Sequence, residues 1–205
     1  MRSLLVAALV LAGLSACRAK PHTVAYVDPS GLFRAEIPDT WRRDGDKDLS
    51  RKPVAVVSFI GEISSQDEGL PVGAVINVTR ITRLANEVPG GDKGYAAFQR
   101  NWLSRSDALF GGPKNVLPED QKALLSLPVA DETIGGRKAK VYRQEYRQGN
   151  PIHSTSAPAM RLEDAVIQTP EAYYVLEYRA TQDLFDKYYP VYRGLKNAAV
   201  FQKAR

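Results

Sequence analysis

Residues 32–37 alternate strictly, with Phe33, Ala35 and Ile37 on one side and Leu32, Arg34 and Glu36 on the other, which predicts a strand with one buried face. A short strand is expected just before it, over 24–28, and Pro38 followed by Trp41 closes this opening unit. Residues 54–60 form a nearly unbroken, valine-rich apolar run, the pattern of a strand covered on both faces. Alternation returns over 72–84, with Ala74, Ile76, Val78 and Arg80 facing one way and Val75, Asn77, Thr79 and Ile81 the other. Four strands are therefore expected before any helix.

Gly90, Gly91 and Gly94 interrupt that pattern. Beyond them Tyr95, Phe98, Trp102 and Leu109 recur at helical spacing, so an amphipathic helix is expected up to Phe110, capped by Asp92 and stopped by Gly111-Gly112-Pro113. The stretch through Pro118 reads as irregular, and a strand pair is expected around Ile134-Gly135-Gly136. Residues 140–148 alternate, Tyr142 and Tyr146 against Arg143, Glu145 and Arg147. After a turn-rich loop over 150–158, strands are expected at 160–169 and 173–181, joined by a hairpin at Pro170-Glu171, with Tyr174, Leu176 and Tyr178 on the more apolar face of the second. Leu184, Tyr188, Val191 and Leu195 then mark a closing helix, which Pro190 should kink or restart because it brings no amide donor. Residues 199–201 can add a last strand. The order strands, helix, strands, helix predicts an α+β fold: a largely antiparallel sheet packed with two main helices.

Composition narrows the setting. Arg2, the apolar run 4–14 and the small residues Ser15 and Ala16 have the form of a signal peptide, and the run is too short for a membrane span, which needs roughly 20 apolar residues. Leu14-Ser15-Ala16-Cys17 resembles the bacterial lipoprotein signal, and Cys17 is the only cysteine among the 205 residues. The resemblance implies that Cys17 is acylated and becomes the first residue of the mature chain. The expected organisation is a signal peptide over 1–16, a lipidated tether over 17–23 and a single α+β domain over 24–205. Anchoring would be firm with two or three acyl chains, and Arg18 and Lys20 would draw the tether toward anionic headgroups. In lipoproteins an Asp after the lipid cysteine retains the protein at the inner membrane. Arg18 stands there instead, which favours the periplasmic face of an outer membrane if the source has two membranes. With no second thiol an intramolecular disulfide is excluded, so the domain must rely on its core.

The formal charge of +5 is modest, and Asp44, Asp46 and Asp48 lie between the pairs Arg42-Arg43 and Arg51-Lys52. No basic stripe with stacking partners emerges, so nucleic acid is not an expected partner. Asp44, Asp46 and Asp48 have the spacing that opens a calcium loop, but Leu49 replaces the glycine at its sixth position and Ala55 the glutamate at its twelfth. A solvated acidic turn is the better reading. His22 and His153 are the only histidines, one of them on the tether, and a shared zinc site is not expected. His153-Ser154-Thr155-Ser156 reads as a polar loop rather than a nucleophile with its base. No catalytic, metal or cofactor residue is expected.

The segments SGLFRAEIPDTW, IGGRKAKVYRQEY and YYVLEYRATQDLFDKYYPVYRGLKNAAVF resemble, in order and spacing, the PsbP-like proteins. Those include an extrinsic photosystem II subunit, a nuclear-import factor that binds the Ran GTPase and many bacterial lipoproteins. The resemblance implies an α/β/α sandwich and a role in binding or assembly rather than catalysis. The polar insertion over 111–124 and the ending Ala199-Val200-Phe201 depart from the family pattern.

Tyrosines crowd the last third of the chain, and Tyr178, Arg179, Tyr189, Tyr192 and Arg193 are of the types enriched in binding hot spots. They are the expected protein-contact residues. The functional expectation is a membrane-anchored, non-catalytic envelope protein that binds other envelope proteins. The alternative is a carrier of an apolar ligand in a pocket between sheet and helix, lined by Trp102 and tyrosines. A hydrolase using His153 ranks last.

Overall fold

Strand alternation becomes two antiparallel sheets. A computed structural model describes residues 22–67, 70–83, 130–147 and 159–202. A small sheet joins β1 (Thr23–Val27), β2 (Phe33–Pro38) and β10 (Val200–Phe201) in the order β1-β2-β10. The large sheet contains β3 (Arg42–Gly45), β4 (Val54–Asp67), β5 (Leu70–Thr82), β6 (Ala130–Ile134), β7 (Arg137–Arg147), β8 (Ala159–Gln168) and β9 (Ala172–Thr181). Its order is β3-β4-β5-β9-β8-β7-β6, with every neighbouring pair antiparallel. The last strand of the chain that enters it, β9, sits at its centre. One helix, α1 (Gln182–Ala198), follows β9 directly.

The main core lies between the large sheet on one side and α1 with the small sheet on the other. Ala55, Val57 and Phe59 of β4, Ala74, Ile76 and Val78 of β5, and Leu176 and Tyr178 of β9 meet Leu184, Tyr192 and Leu195 of α1 there. Phe33, Ala35 and Ile37 of β2 close it, on the face that alternation assigns them. Residues of opposite phase on the large sheet are buried as well: Ile81, Tyr142, Val166 and Tyr173 form a second cluster. The sheet is thus apolar on both faces.

Three features depart from the sequence expectation. Residues 42–45, read as turn, pair with β4 as an edge strand whose four residues are all exposed, so no apolar periodicity marks them. The strands expected at 54–60 and 72–84 become a long hairpin, and β4 runs to Asp67 through register shifts between Ile60 and Ser65. Pro190 neither restarts nor ends α1, which continues for 17 residues around it. Pro190 and Asp186, whose carbonyl loses its amide partner, are both exposed, so solvent can satisfy that group. Among the described residues α1 is the one α-helix of a turn or more; the helix expected up to Phe110 lies outside them. No described helix is long and apolar enough to cross a membrane.

Two local devices fix the entry to the core. Gly135 and Gly136 join β6 to β7 with φ of +56° and +72°, the left-handed pair that a two-residue hairpin turn requires. Asp28, fully buried at the end of β1, accepts from the backbone N–H of Leu49 at 2.9 Å and of Ser30 at 3.1 Å, and from the Ser30 hydroxyl. It pins the β1–β2 turn to the β3–β4 loop. Asp28→Asn keeps one acceptor oxygen and sets an amide against the Ser30 donors, so urea denaturation should show a loss of about 1 kcal/mol.

Candidate functional site

The second strand phase of β8 puts Glu163 in line with Ala165 and Ile167, on the face that packs against α1. Glu163 is fully buried and is met by two cations and a hydroxyl: Arg143 Nε of β7 donates at 2.7 Å, Lys196 Nζ at 2.8 Å and the Tyr189 hydroxyl at 2.9 Å. Lys196, itself buried at the end of α1, also reaches Glu132 of β6 at 3.0 Å. Burial pushes the Glu163 carboxyl up, but the bonds from Lys196, Arg143 and Tyr189 more than reverse it and hold it below the usual carboxylate range. Burial lowers the Lys196 ammonium, but its bonds to Glu163 and Glu132 more than offset that and raise it. Burial, then the neighbouring Glu163 carboxylate, raises the Tyr189 hydroxyl. The group poised here is a fixed ion network, and none of these protons is set to move near neutral pH.

This network floors an open cleft of about 430 Å³ between β7, β8 and the first half of α1. Phe185 and Tyr189 stack along its helical wall with centroids 5.5 Å apart, at 22° between planes. Arg161 lies over the Phe185 ring at 5.9 Å and is held by Glu145 at 2.9 Å and Asp186 at 3.7 Å. Cations, carboxylates and aromatic faces therefore alternate across one surface. Such a surface suits a protein of matching charge pattern better than a ligand of a single charge sign.

The opposite face of the sheet carries a different polar feature. Register places Ser58, Asn77, Glu177, Asp164 and Tyr142 in one row across β4, β5, β9, β8 and β7. Two carboxylates are thus directly opposed on adjacent strands. Glu177 accepts from Asn77 Nδ2 at 2.7 Å and has Arg179 Nε at 4.0 Å. Asp164 is partly exposed as a residue, yet its Oδ1 is sealed off and has no hydrogen-bond partner. Burial, then repulsion from Glu177 and Glu163, drives the Asp164 carboxyl well above its ordinary range. Burial also raises Glu177, against Arg179 and Asn77. Asp164 is displaced more strongly, because Glu177 alone has a donor and a cation beside it.

No family model and no curated protein matches the chain. Solved structures do resemble it. LpqN of Mycobacterium tuberculosis, a protein involved in cell envelope biogenesis, is 15% identical, with 89% of this chain and 91% of that one covered at a TM-score of 0.46. A cyanobacterial PsbP from Synechocystis is 12% identical over 91% and 96% of the two chains at 0.46. The Ran-binding protein Mog1p of Saccharomyces cerevisiae is 12% identical over 89% and 96%, also at 0.46. The chain spans about half, 48%, of the length of a Bacteroides thetaiotaomicron protein that it also resembles.

The residues expected to form a contact surface do not gather on one face. Tyr178 and Tyr192 are fully buried: Tyr178 donates to the carbonyl of Phe185 at 2.9 Å and Tyr192 to that of Leu176 at 2.7 Å, and their rings stack at 5.4 Å. Both belong to the core, which corrects their assignment as contact residues. Arg179 follows Tyr178 on the strand and so projects from the opposite face of the sheet, beside Glu177. Tyr189 lines the cleft, and Arg193 is exposed on α1 one turn further on. Tyr178 and Tyr192 fill the space between α1 and the sheet. Trp102, His153 and Cys17 lie outside the described residues.

The three carboxylates of the acidic turn are engaged separately. Asp46 accepts from Lys52 at 2.6 Å and from the Val56 N–H at 2.9 Å, Asp48 from Ser50 at 2.7 Å, and Asp44 from the Gly45 N–H at 2.7 Å. Sequence reasoning missed Glu163, Lys196 and Arg143, which come from segments far apart. A signal existed: Glu163 falls in phase with Ala165 and Ile167, and Lys196 in phase with Tyr189 and Tyr192, so each places a charge on an apolar stripe.

Proposed function

We propose that the chain is a lipid-tethered protein of the bacterial envelope, anchored through Cys17, whose single domain over 24–205 serves as a non-catalytic binding module for another envelope protein. The cleft between β7, β8 and α1 is its contact surface, with Tyr189, Phe185 and Arg161 as the central residues and Arg193 at the rim. The observation that carries this reading is the buried Glu163 network. It fixes Arg143 and Tyr189 in place before a partner arrives, so less side-chain freedom is lost on binding.

Affinity capture after cross-linking in native envelopes tests it. Intact protein should retrieve a discrete partner, and Arg161→Ala should weaken that complex about tenfold or more, the cost of a central hot-spot residue. Cys17→Ser should release the protein from the membrane while leaving affinity for the purified partner unchanged. Equal retrieval by wild type and Arg161→Ala would place the contact elsewhere.

A further inference from the structure

Among the described residues three large hydrophobic side chains are exposed, and the most exposed of them, Val27 at 59%, ends β1; Val24, at 46%, has the opposite strand phase, in register with Ile37. This strand is an edge of the small sheet, and its pairing with β2 aligns Thr23, Ala25 and Val27 with Pro38, Glu36 and Arg34 on the side facing away from the core. Thr23, Ala25, Val27, Arg34 and Glu36 are all exposed. The Thr23 hydroxyl leans on Glu36, the one acid of that face, at 3.4 Å. What remains is a shallow apolar strip of Ala25 and Val27, with Arg34 opposite Val27 in register.

The position of β1 in the chain says what meets that strip. Only residues 18–22 separate the lipid-bearing position from Thr23, and at about 3.5 Å per residue the six steps from 17 to 23 reach about 20 Å. Arg18 and Lys20 lie within this tether and are drawn to anionic headgroups, which shortens its working reach. An apolar strip next to a cation, held that close, matches the layer where acyl chains give way to headgroups.

We infer that the outer face of the small sheet, led by Val27 with Arg34 beside it, is the surface on which the domain rests against an anionic bilayer. This rests on the proposed lipid anchor at Cys17 and adds an orientation to it: β1 faces the lipid.

The sole cysteine supplies the test, because acylation of its sulfur leaves the protein with no free thiol. Val27→Cys, Ala25→Cys and, as a control on α1, Arg193→Cys each introduce one reactive thiol at an exposed position. Full-length acylated protein, verified by mass spectrometry of the amino-terminal peptide, is labelled with bimane and reconstituted into phosphatidylethanolamine–phosphatidylglycerol vesicles containing nitroxide-headgroup lipid. Quenching should be several-fold stronger at positions 25 and 27 than at 193. Equal quenching at all three, with Cys17 acylated and the protein floating with the vesicles, would overturn the orientation and leave the anchor standing. Protection at 25 and 27 that appears only at high protein-to-lipid ratio would assign the strip to a second copy and overturn it equally. A bare Cys17 thiol on protein that stays out of the vesicle fraction would remove the anchor, and this inference with it.

Discussion

Glu163→Ala should destabilise the folded chain by about 3–5 kcal/mol, because removing one partner of a buried ion network strands the others. Lys196, buried and 2.8 Å from Glu163, would keep only Glu132, and Tyr189 would lose its acceptor. Urea denaturation of the wild type and the variant measures the difference. The double replacement Glu163→Leu with Lys196→Met should recover most of the loss, since an apolar pair of similar volume removes the stranded charge along with the carboxylate. The pH dependence follows from the depressed Glu163 carboxyl. Its contribution is complete above the ordinary value of 4.5 and is lost as pH falls through the lower value it has when folded.

Asp164→Asn should act in the opposite sense and stabilise the fold at neutral pH, raising the urea midpoint, because it removes a carboxyl whose charged form is disfavoured by burial and by the neighbouring Glu177 and Glu163. The folded chain holds the Asp164 proton more tightly than the unfolded chain does. The stability contributed by this group is therefore fully present below its ordinary value of 3.8 and is lost as pH rises through the raised value. Acidifying the wild type from neutral should first strengthen it, because the folded chain holds the Asp164 proton more tightly than the unfolded chain, and then weaken it as the contribution of Glu163 is lost. Asparagine at position 164 mimics the protonated side chain, so the first, strengthening limb should flatten in that variant. Denaturation midpoints across pH 3 to 8 (about five one-unit steps) display both limbs. A wild-type profile that rises steadily toward neutral pH would show that Asp164 is ionised in the fold.

Strands with one buried face were legible because their period of two is written in single residues. Phe33, Ala35 and Ile37 could be assigned to the core from the sequence, as could Leu176. The same alternation could not say that the chain makes two sheets, since β10 pairs with β2 across more than 160 residues and two residues carry no periodicity. Strand β3, exposed at every position, was invisible for the same reason. Pro190 does not break the helix, because the Asp186 carbonyl that it strands lies at an exposed position, and exposure is a tertiary property. At the candidate site the sequence could not say which side each residue faces. Tyrosine and arginine crowd the last third of the chain, but which of them look outward is set by strand phase: Tyr178 turns inward and Arg179 to the far face. The ion network was hidden in another way. Each of its charges is ordinary in the sequence, and only the packing of β6, β7, β8 and α1 brings Glu132, Arg143, Glu163 and Lys196 together.

Site-specific photocross-linking in living cells tests the binding reading most directly. A photoreactive amino acid in place of Arg161, in the cleft between β7, β8 and α1, should give one discrete adduct with an envelope protein. The same group in place of Lys138, exposed on the other face of β7, should give none. Adducts of equal yield at both positions, or at neither while the protein is folded and in the membrane, would contradict a partner seated on the Glu163 network.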